Sequence, residues 1–328
     1  MAEMSKQQRV TAALKGQAVD RVPVSAWWHD YANEWSAEDL AATTLNQYET
    51  YGWDYIKVNP RFSYYAEDWG TSYRRYDDRM PEPDQKAVQS PGDLRKLRGL
   101  DGTSGVWAQQ LQALRLIRDA LNGEAPFVQT VFSPLAVMSR ITGSTKYVQK
   151  LMAEAPDDLE YGLHLIEGTL MSYAEACLQA GAAGIFYAAV EWGSSDNISW
   201  VDYERFGKPY DLRILEAVAG APMNILHVCR ERNHLEHVLD YPIAAFNWDV
   251  HGAGNPTFTA VLSNTNKAVL GGVGVPTLLE REPSDITAEA HRARAEADER
   301  RFLLSPGCSI NPATPPANLH ALAEAARS

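Results

Sequence analysis

Short runs of β-forming residues recur along the chain, each followed by a longer stretch with helical periodicity, and this alternation constrains the fold more than any other feature. It is the pattern of a parallel sheet whose strands are joined by helical crossovers. Candidate strands lie near Val22–Trp27, Tyr55–Val58, Phe127–Phe132, Gly184–Ala188, Met223–His227, Ile243–Asn247, Ala268–Gly272 and Phe302–Ser305. That is about eight, the number that closes an α/β (β/α)8 TIM barrel. Barrels of this kind reach 328 residues as one unit, so residues 1–328 are expected to form a single domain. The stretch 61–105, rich in Tyr, Asp, Arg, Pro and Gly, fits the alternation least and is expected to be an insertion over one barrel face. Such excursions serve as lids or binding loops, although a plain surface excursion satisfies the composition equally.

Helix signals fill the gaps between strands. Ser36-Ala37-Glu38-Asp39 reads as an N-cap with an acidic first turn, and Gly52 as the stop. A charged, alanine-rich helix is expected from Ser284-Asp285 to about Arg301, and Pro315-Pro316 opens the last one. With 30 basic and 42 acidic residues the net charge is −12, which opposes binding to phosphate backbones or anionic lipid. Nucleic acid and membrane are therefore excluded as expected partners. The apolar runs are only strand length, and Met1-Ala2-Glu3-Met4-Ser5 lacks the build of a signal peptide, so a cytoplasmic location is expected.

Three cysteines, Cys177, Cys229 and Cys308, are too few and too scattered for a disulfide scaffold. Cys177 lies in a helical run and reads as packing. His227-Val228-Cys229 ends the fifth candidate strand, where side chains two apart share a face, and Cys308 follows the eighth. All three fall at the C-terminal face, where barrel enzymes keep their active sites. One imidazole and two thiolates suit Zn²⁺ and leave its fourth position open. A histidine bonded in a polar mouth beside two small buried thiols fits the same spacing, which leaves both readings open. Glu191 after the fourth strand, His29 after the first, and Asp249 and His251 after the sixth are candidates for acid–base or ligand roles, or for loop anchoring. Trp27 and Trp28 could wall a pocket or cap the core. Gly271-Gly272-Val273-Gly274 lacks dinucleotide-loop spacing and no N-capped helix is expected directly after it, so tight packing is its expected role.

Arg9 to Pro23, with Ala12-Ala13-Leu14-Lys15-Gly16 and Asp20-Arg21-Val22-Pro23, resembles the start of the uroporphyrinogen decarboxylase superfamily. Leu304-Ser305-Pro306-Gly307-Cys308 and Thr314-Pro315-Pro316-Ala317-Asn318-Leu319 resemble its last strand and helix. The resemblance covers most of the chain and implies a single (β/α)8 barrel. It leaves two chemistries open, decarboxylation and zinc-dependent methyl transfer between corrinoid proteins and thiols. The decarboxylases carry an arginine pair after the first strand and a histidine in the last-strand motif. Here no arginine occurs between Val22 and Arg61, and Cys308 stands where that histidine would be. The match at His227-x-Cys229 and Cys308 instead implies the methyltransferase branch, with these three residues on zinc and a thiol substrate activated as nucleophile. A corrinoid (cobalamin) methyl carrier, held by a corrinoid protein, is the implied partner. Two features depart from that branch: Arg230 replaces its usual glycine, and Gly272-Val273-Gly274-Val275-Pro276 replaces Gly-Asn-x-x-Pro. The second departure alters the mouth near the seventh strand and leaves the methyl donor and acceptor open, and the tryptophan-rich entry suggests an aromatic or small apolar substrate. The alternatives are a carboxy-lyase of a smaller acid using Asp249, His29 or Glu191, and a non-catalytic tetrapyrrole or corrinoid carrier.

Overall fold

A computed structural model describes residues 3–297 and 301–328. Nine strands are present among them: β1 (Ile56–Val58), β2 (Ser72–Arg74), β3 (Glu82–Gln85), β4 (Phe127–Phe132), β5 (Gly184–Val190), β6 (Ile225–Val228), β7 (Ala245–Asn247), β8 (Ala268–Val273) and β9 (Phe302–Pro306). Seven form one parallel sheet in the order β1-β4-β5-β6-β7-β8-β9. α-Helices fill the crossovers, as the alternation predicts, except between β6 and β7, where only a 3-10 turn, Leu235–His237, is formed.

The ring closes through the first candidate strand, which is less regular than expected. Within Val22–Trp27 only Val24 makes a ladder bridge, parallel to Leu304 of β9. The Leu304 amide donates to the Pro23 carbonyl at 2.9 Å, the Ser25 amide to Leu304 at 3.2 Å, and the Asp54 amide to Val24 at 2.8 Å. Proline has no N–H to donate, which interrupts a ladder that its neighbours nevertheless complete. The segment thus spans the gap between β9 and the chain entering β1.

A buried charge cluster fixes this eighth stave. Asp54 has no solvent exposure, and its carboxylate accepts from Arg9 at 2.7 Å, from Arg21 at 2.6 and 2.9 Å, and from the Val24 amide at 2.9 Å. Arg9 is shared with Asp20 through two bonds of 2.7 Å. This is the Asp20-Arg21-Val22-Pro23 motif at work: the residues before the stave neutralise one another and clamp it against β1.

Local signals map closely onto the helices. The Ser36 hydroxyl accepts from the Asp39 amide at 3.0 Å, and helix Ala37–Tyr51 stops at Gly52, whose φ is 66°. The helix expected from Ser284 runs Pro283–Glu296; residues 298–300 of the expected span, and Met1 and Ala2 of the N-terminal motif, lie outside the described residues. The last helix is Pro316–Ala325. A helix, Val275–Glu280, does follow the glycine run directly, contrary to expectation: Gly274 takes an extended cap conformation with no capping side chain of its own, and its amide donates to the Glu289 carboxylate at 2.9 Å. Gly272 is required by packing, as a Cβ there would lie 2.6 Å from that of Ala293.

The 61–105 stretch holds a short helix, Tyr64–Glu67, the antiparallel pair β2–β3 and a second short helix, Pro91–Leu94. It is more than a surface excursion. Tyr64 and Tyr65 are fully buried, and the Tyr65 hydroxyl donates to Thr130 at 2.7 Å and accepts from the Phe132 amide at 3.1 Å, both in β4.

Removing the hub of the charge cluster leaves Arg21 without its carboxylate and Arg9 with Asp20 alone, and breaking a buried pair costs ~3–5 kcal/mol. Asp54→Ala should lower the urea midpoint accordingly, with the far-ultraviolet spectrum retained. Arg9 holds the Asp20 carboxyl far below the usual carboxylate range through its hydrogen bonds. A depressed folded value means that the stabilisation is complete above the unfolded value of ~3.9 and is lost as pH falls below it. Asp20→Asn should therefore flatten the acid limb of a stability-versus-pH curve and weaken the protein at neutral pH.

Candidate metal centre

Strands β6 and β9 end on the same face of the barrel. His227 lies within β6, Cys229 one residue beyond it, and Cys308 two residues beyond β9. Cys308 reaches the centre because the chain turns tightly against the end of β7. At Gly307 a Cβ would sit 2.5 Å from the Asp249 Cα and 2.8 Å from the Trp248 carbonyl, so only glycine allows that approach. The Sγ atoms of Cys229 and Cys308 are 3.7 Å apart, and Cys308 Sγ is 3.7 Å from His227 Nε2. All three donor atoms lie within 4.8 Å of one another.

Hydrogen bonding fixes the tautomer of the histidine. Asn247 donates its Nδ2 to the carbonyls of Leu270 and Pro306, each at 3.2 Å, so its Oδ1 is the atom 2.7 Å from His227 Nδ1. An oxygen there requires Nδ1 to carry the proton, which leaves Nε2 with its lone pair toward Cys308. The ring stacks on Phe186 with centroids 5.3 Å apart.

The donor set and its spacing fit zinc. Bonds of about 2.3 Å to sulfur and 2.0–2.1 Å to nitrogen at tetrahedral angles place ligand atoms roughly 3.5–3.8 Å apart. The two 3.7 Å separations fall in that interval. The thiols differ in acidity. A hydrogen bond from Cys229 holds the Cys308 thiol well below its ordinary value, whereas the same bond and burial push Cys229 up.

The other candidates are distributed around a cavity of about 740 Å³ at this face. His29 lines it, with Nδ1 2.7 Å from Glu34 Oε2 and the ring stacked on Tyr31. Glu191 also lines it, but its carboxylate is engaged by Arg140 and lies 3.4 Å from the Thr145 hydroxyl. Asp249 faces the cavity while accepting from the His251 amide at 3.0 Å. His251 is turned away to Glu289, 2.6 Å distant, an acid that also caps the Gly274 amide and raises the affinity of the imidazole for its proton. Trp27 walls the cavity with Phe62, Tyr65, Phe132 and Phe186, whereas Trp28 packs on Tyr51.

Sequence reasoning missed Lys57, Asn59, Asn247, Glu34 and Arg140. Lys57 carried a signal, as the sole charge in the three residues of β1. It is 7% exposed and lines the cavity. Asn247 carried none, since its role follows from carbonyls of two other strands.

The chain matches the family described as uroporphyrinogen decarboxylase (URO-D) over residues 5–328. It belongs to the uroporphyrinogen decarboxylase family. Among curated relatives it is 23% identical over 350 residues to methylcobamide:CoM methyltransferase MtbA of Methanosarcina acetivorans, covering 100% of this chain and 99% of that protein. It is 24% identical to methylcobamide:CoM methyltransferase MtaA of Methanosarcina barkeri, covering 99% and 98%. A solved methyltransferase from Methanosarcina mazei superposes with a TM-score of 0.83 at 25% identity over 98% of both chains. Its fold and that of the present member of the uroporphyrinogen decarboxylase family agree from end to end.

One departure from the methyltransferase branch has a backbone consequence. Arg230, where that branch usually has glycine, has a φ of 76°. Left-handed geometry costs a non-glycine residue roughly 1–2 kcal/mol. The preceding crossover is strained as well, with β-branched Val190 at a φ of 51° where β5 shifts register against β6. Arg230→Gly should stabilise the protein by ~1 kcal/mol in urea unfolding. Arg230→Ala, which keeps a Cβ, should not.

Proposed function

We propose that this protein is a zinc-dependent methyltransferase that activates a thiol and transfers to it a methyl group carried by a corrinoid. The observation that carries this reading is the His227, Cys229 and Cys308 cluster, with donor atoms within 4.8 Å, at the face where barrel enzymes keep their active sites. Full-length similarity to two methylcobamide:CoM methyltransferases supports it. Zinc, when bound, supplies a Lewis acid that lowers the pKa of a coordinated thiol while two thiolate ligands keep its sulfur electron-rich.

The protein's own residues prepare that chemistry. Cys229 and Cys308 would give up their protons to become ligands, and Cys308 is already held toward its anion. Asn247 presents Nε2 of His227 as a lone-pair donor through its bond to Nδ1. The aromatic wall excludes water from the reacting sulfur, which preserves its nucleophilicity. His29, positioned by Glu34, and Asp249 line the same cavity and are the candidate groups for orienting substrate or handling protons there.

Two of the arginines near this cavity are already committed, Arg140 to Glu191 and Arg61 to Glu67. That leaves Arg230 and Lys57 as the other lysine or arginine side chains on the cavity lining, fewer clamps than a substrate bearing several carboxylates would need, which favours methyl transfer over uroporphyrinogen decarboxylation.

Protein purified without chelator, or reloaded with zinc, should hold about one zinc per chain by elemental analysis. Cys308→Ser should lose it. Asn247→Ala should weaken zinc binding by ~10–100-fold in a competition with a chromogenic chelator, the usual cost of removing a group that orients a ligand. Chelation should abolish methylation of a thiol by methylcobalamin; activity that survives with no bound metal would overturn the proposal.

A further inference from the structure

Lys57 is a buried amine with too few partners. It projects from β1 into the cavity, and its Nζ donates to Asn59 Oδ1. The remaining neighbours are aromatic faces, Phe186 at 4.9 Å and Trp27 at 5.6 Å to the ring centroids. Among the described residues no carboxylate lies within ion-pair distance of it. An ammonium has three protons to donate, and burial without a counter-charge penalises it heavily.

Asn59 adds a second unmet donor. Its Oδ1 is taken by Lys57 and lies 3.5 Å from the hydroxyl of Ser309, the residue after Cys308. Its Nδ2 is buried with no hydrogen-bond partner. Two donors therefore stand together at the cavity floor and lack an acceptor. Aromatic walls cannot supply one, but a ligand that carries a negative charge can.

The charges acting on Lys57 identify that ligand's chemistry. Burial pulls the amine down to about 7, while the Cys308 and Cys229 thiolates and Glu34 act in the opposite sense. A divalent ion on those two thiolates cancels their charge and leaves burial dominant, so the amine is neutral before substrate arrives. A third sulfur anion at the centre restores one net negative charge beside it.

Resting on the zinc–thiol function proposed above, we propose that Lys57 takes the proton of the incoming thiol and that Lys57 and Asn59 then hold the resulting sulfur anion. The S–H bond breaks, its proton forms a third N–H bond on Nζ, and the electron pair stays on sulfur. No proton leaves the site at this step. Once the sulfur is methylated and neutral, the counter-charge is gone and Nζ returns its proton to solvent.

The test counts protons. Zinc-loaded protein is titrated with 2-mercaptoethanol at pH 8 in buffers of different ionisation enthalpy, and the proton release is read from the buffer dependence of the heat. Metal binding of a thiol ordinarily releases a proton. The wild type should release well under half a proton, and Lys57→Met about one, with affinity weaker by about tenfold, the weight of one pKa unit. Lys57→Arg keeps the charge but cannot accept a proton, so it should also release about one while binding more tightly than Lys57→Met. Zinc content, measured in each variant, checks folding. Equal release by wild type and Lys57→Met, or a full proton from the wild type, overturns the role of Lys57 while leaving the metal reading intact. A wild type that holds no zinc overturns both.

Discussion

A single amide side chain organises the centre. Asn247 sits on β7, donates to a carbonyl of β8 and to one of β9, and accepts from a histidine of β6. Each of its bonds depends on the others. If the carbonyls did not claim Nδ2, the amide could turn over and present a donor to His227, and the imidazole would then point a proton rather than a lone pair at Cys308. Four neighbouring strands are thereby held in the alignment that brings the two thiols together, and backbone groups at the barrel rim set the chemical identity of one ring nitrogen.

Much of this was legible beforehand for physical reasons. Alternation of β runs and helical stretches fixes a parallel closed sheet, and seven of the eight candidate strands are formed with boundaries shifted by only a few residues. The eighth differs because Pro23 breaks the ladder, and a strand defined by its hydrophobic run says nothing about which amides are missing. The placement of His227, Cys229 and Cys308 at one face follows from strand polarity. That their donor atoms come within 4.8 Å of one another depends on Gly307, whose backbone passes against Asp249, a contact between residues far apart in sequence.

The less legible part of the site is electrostatic. Glu191 and His29 were identifiable as strand-end polar residues, yet their partners Arg140 and Glu34 come from other segments and decide what each can do. Lys57 looks unremarkable in Tyr-Ile-Lys-Val because lysine at alternate strand positions normally reaches solvent. In a closed barrel the inward face has no solvent to reach, so the same residue becomes a buried amine. Net acidity of the whole chain conceals this, since −12 is a sum over all residues and the cavity carries its own balance.

The pair of hydrogen bonds between the Tyr65 hydroxyl and β4 has a consequence for access. It anchors the inserted segment at its root, beside fully buried Tyr64, and swinging the whole insertion away would forfeit two buried hydrogen bonds and a tyrosine core. Beyond residue 71 the β2–β3 pair is largely solvent-exposed, and exposed Met80 lines the cavity. The entrance is therefore edged by a small exposed eave rooted in the core, rather than by a door hinged at the base of the insertion.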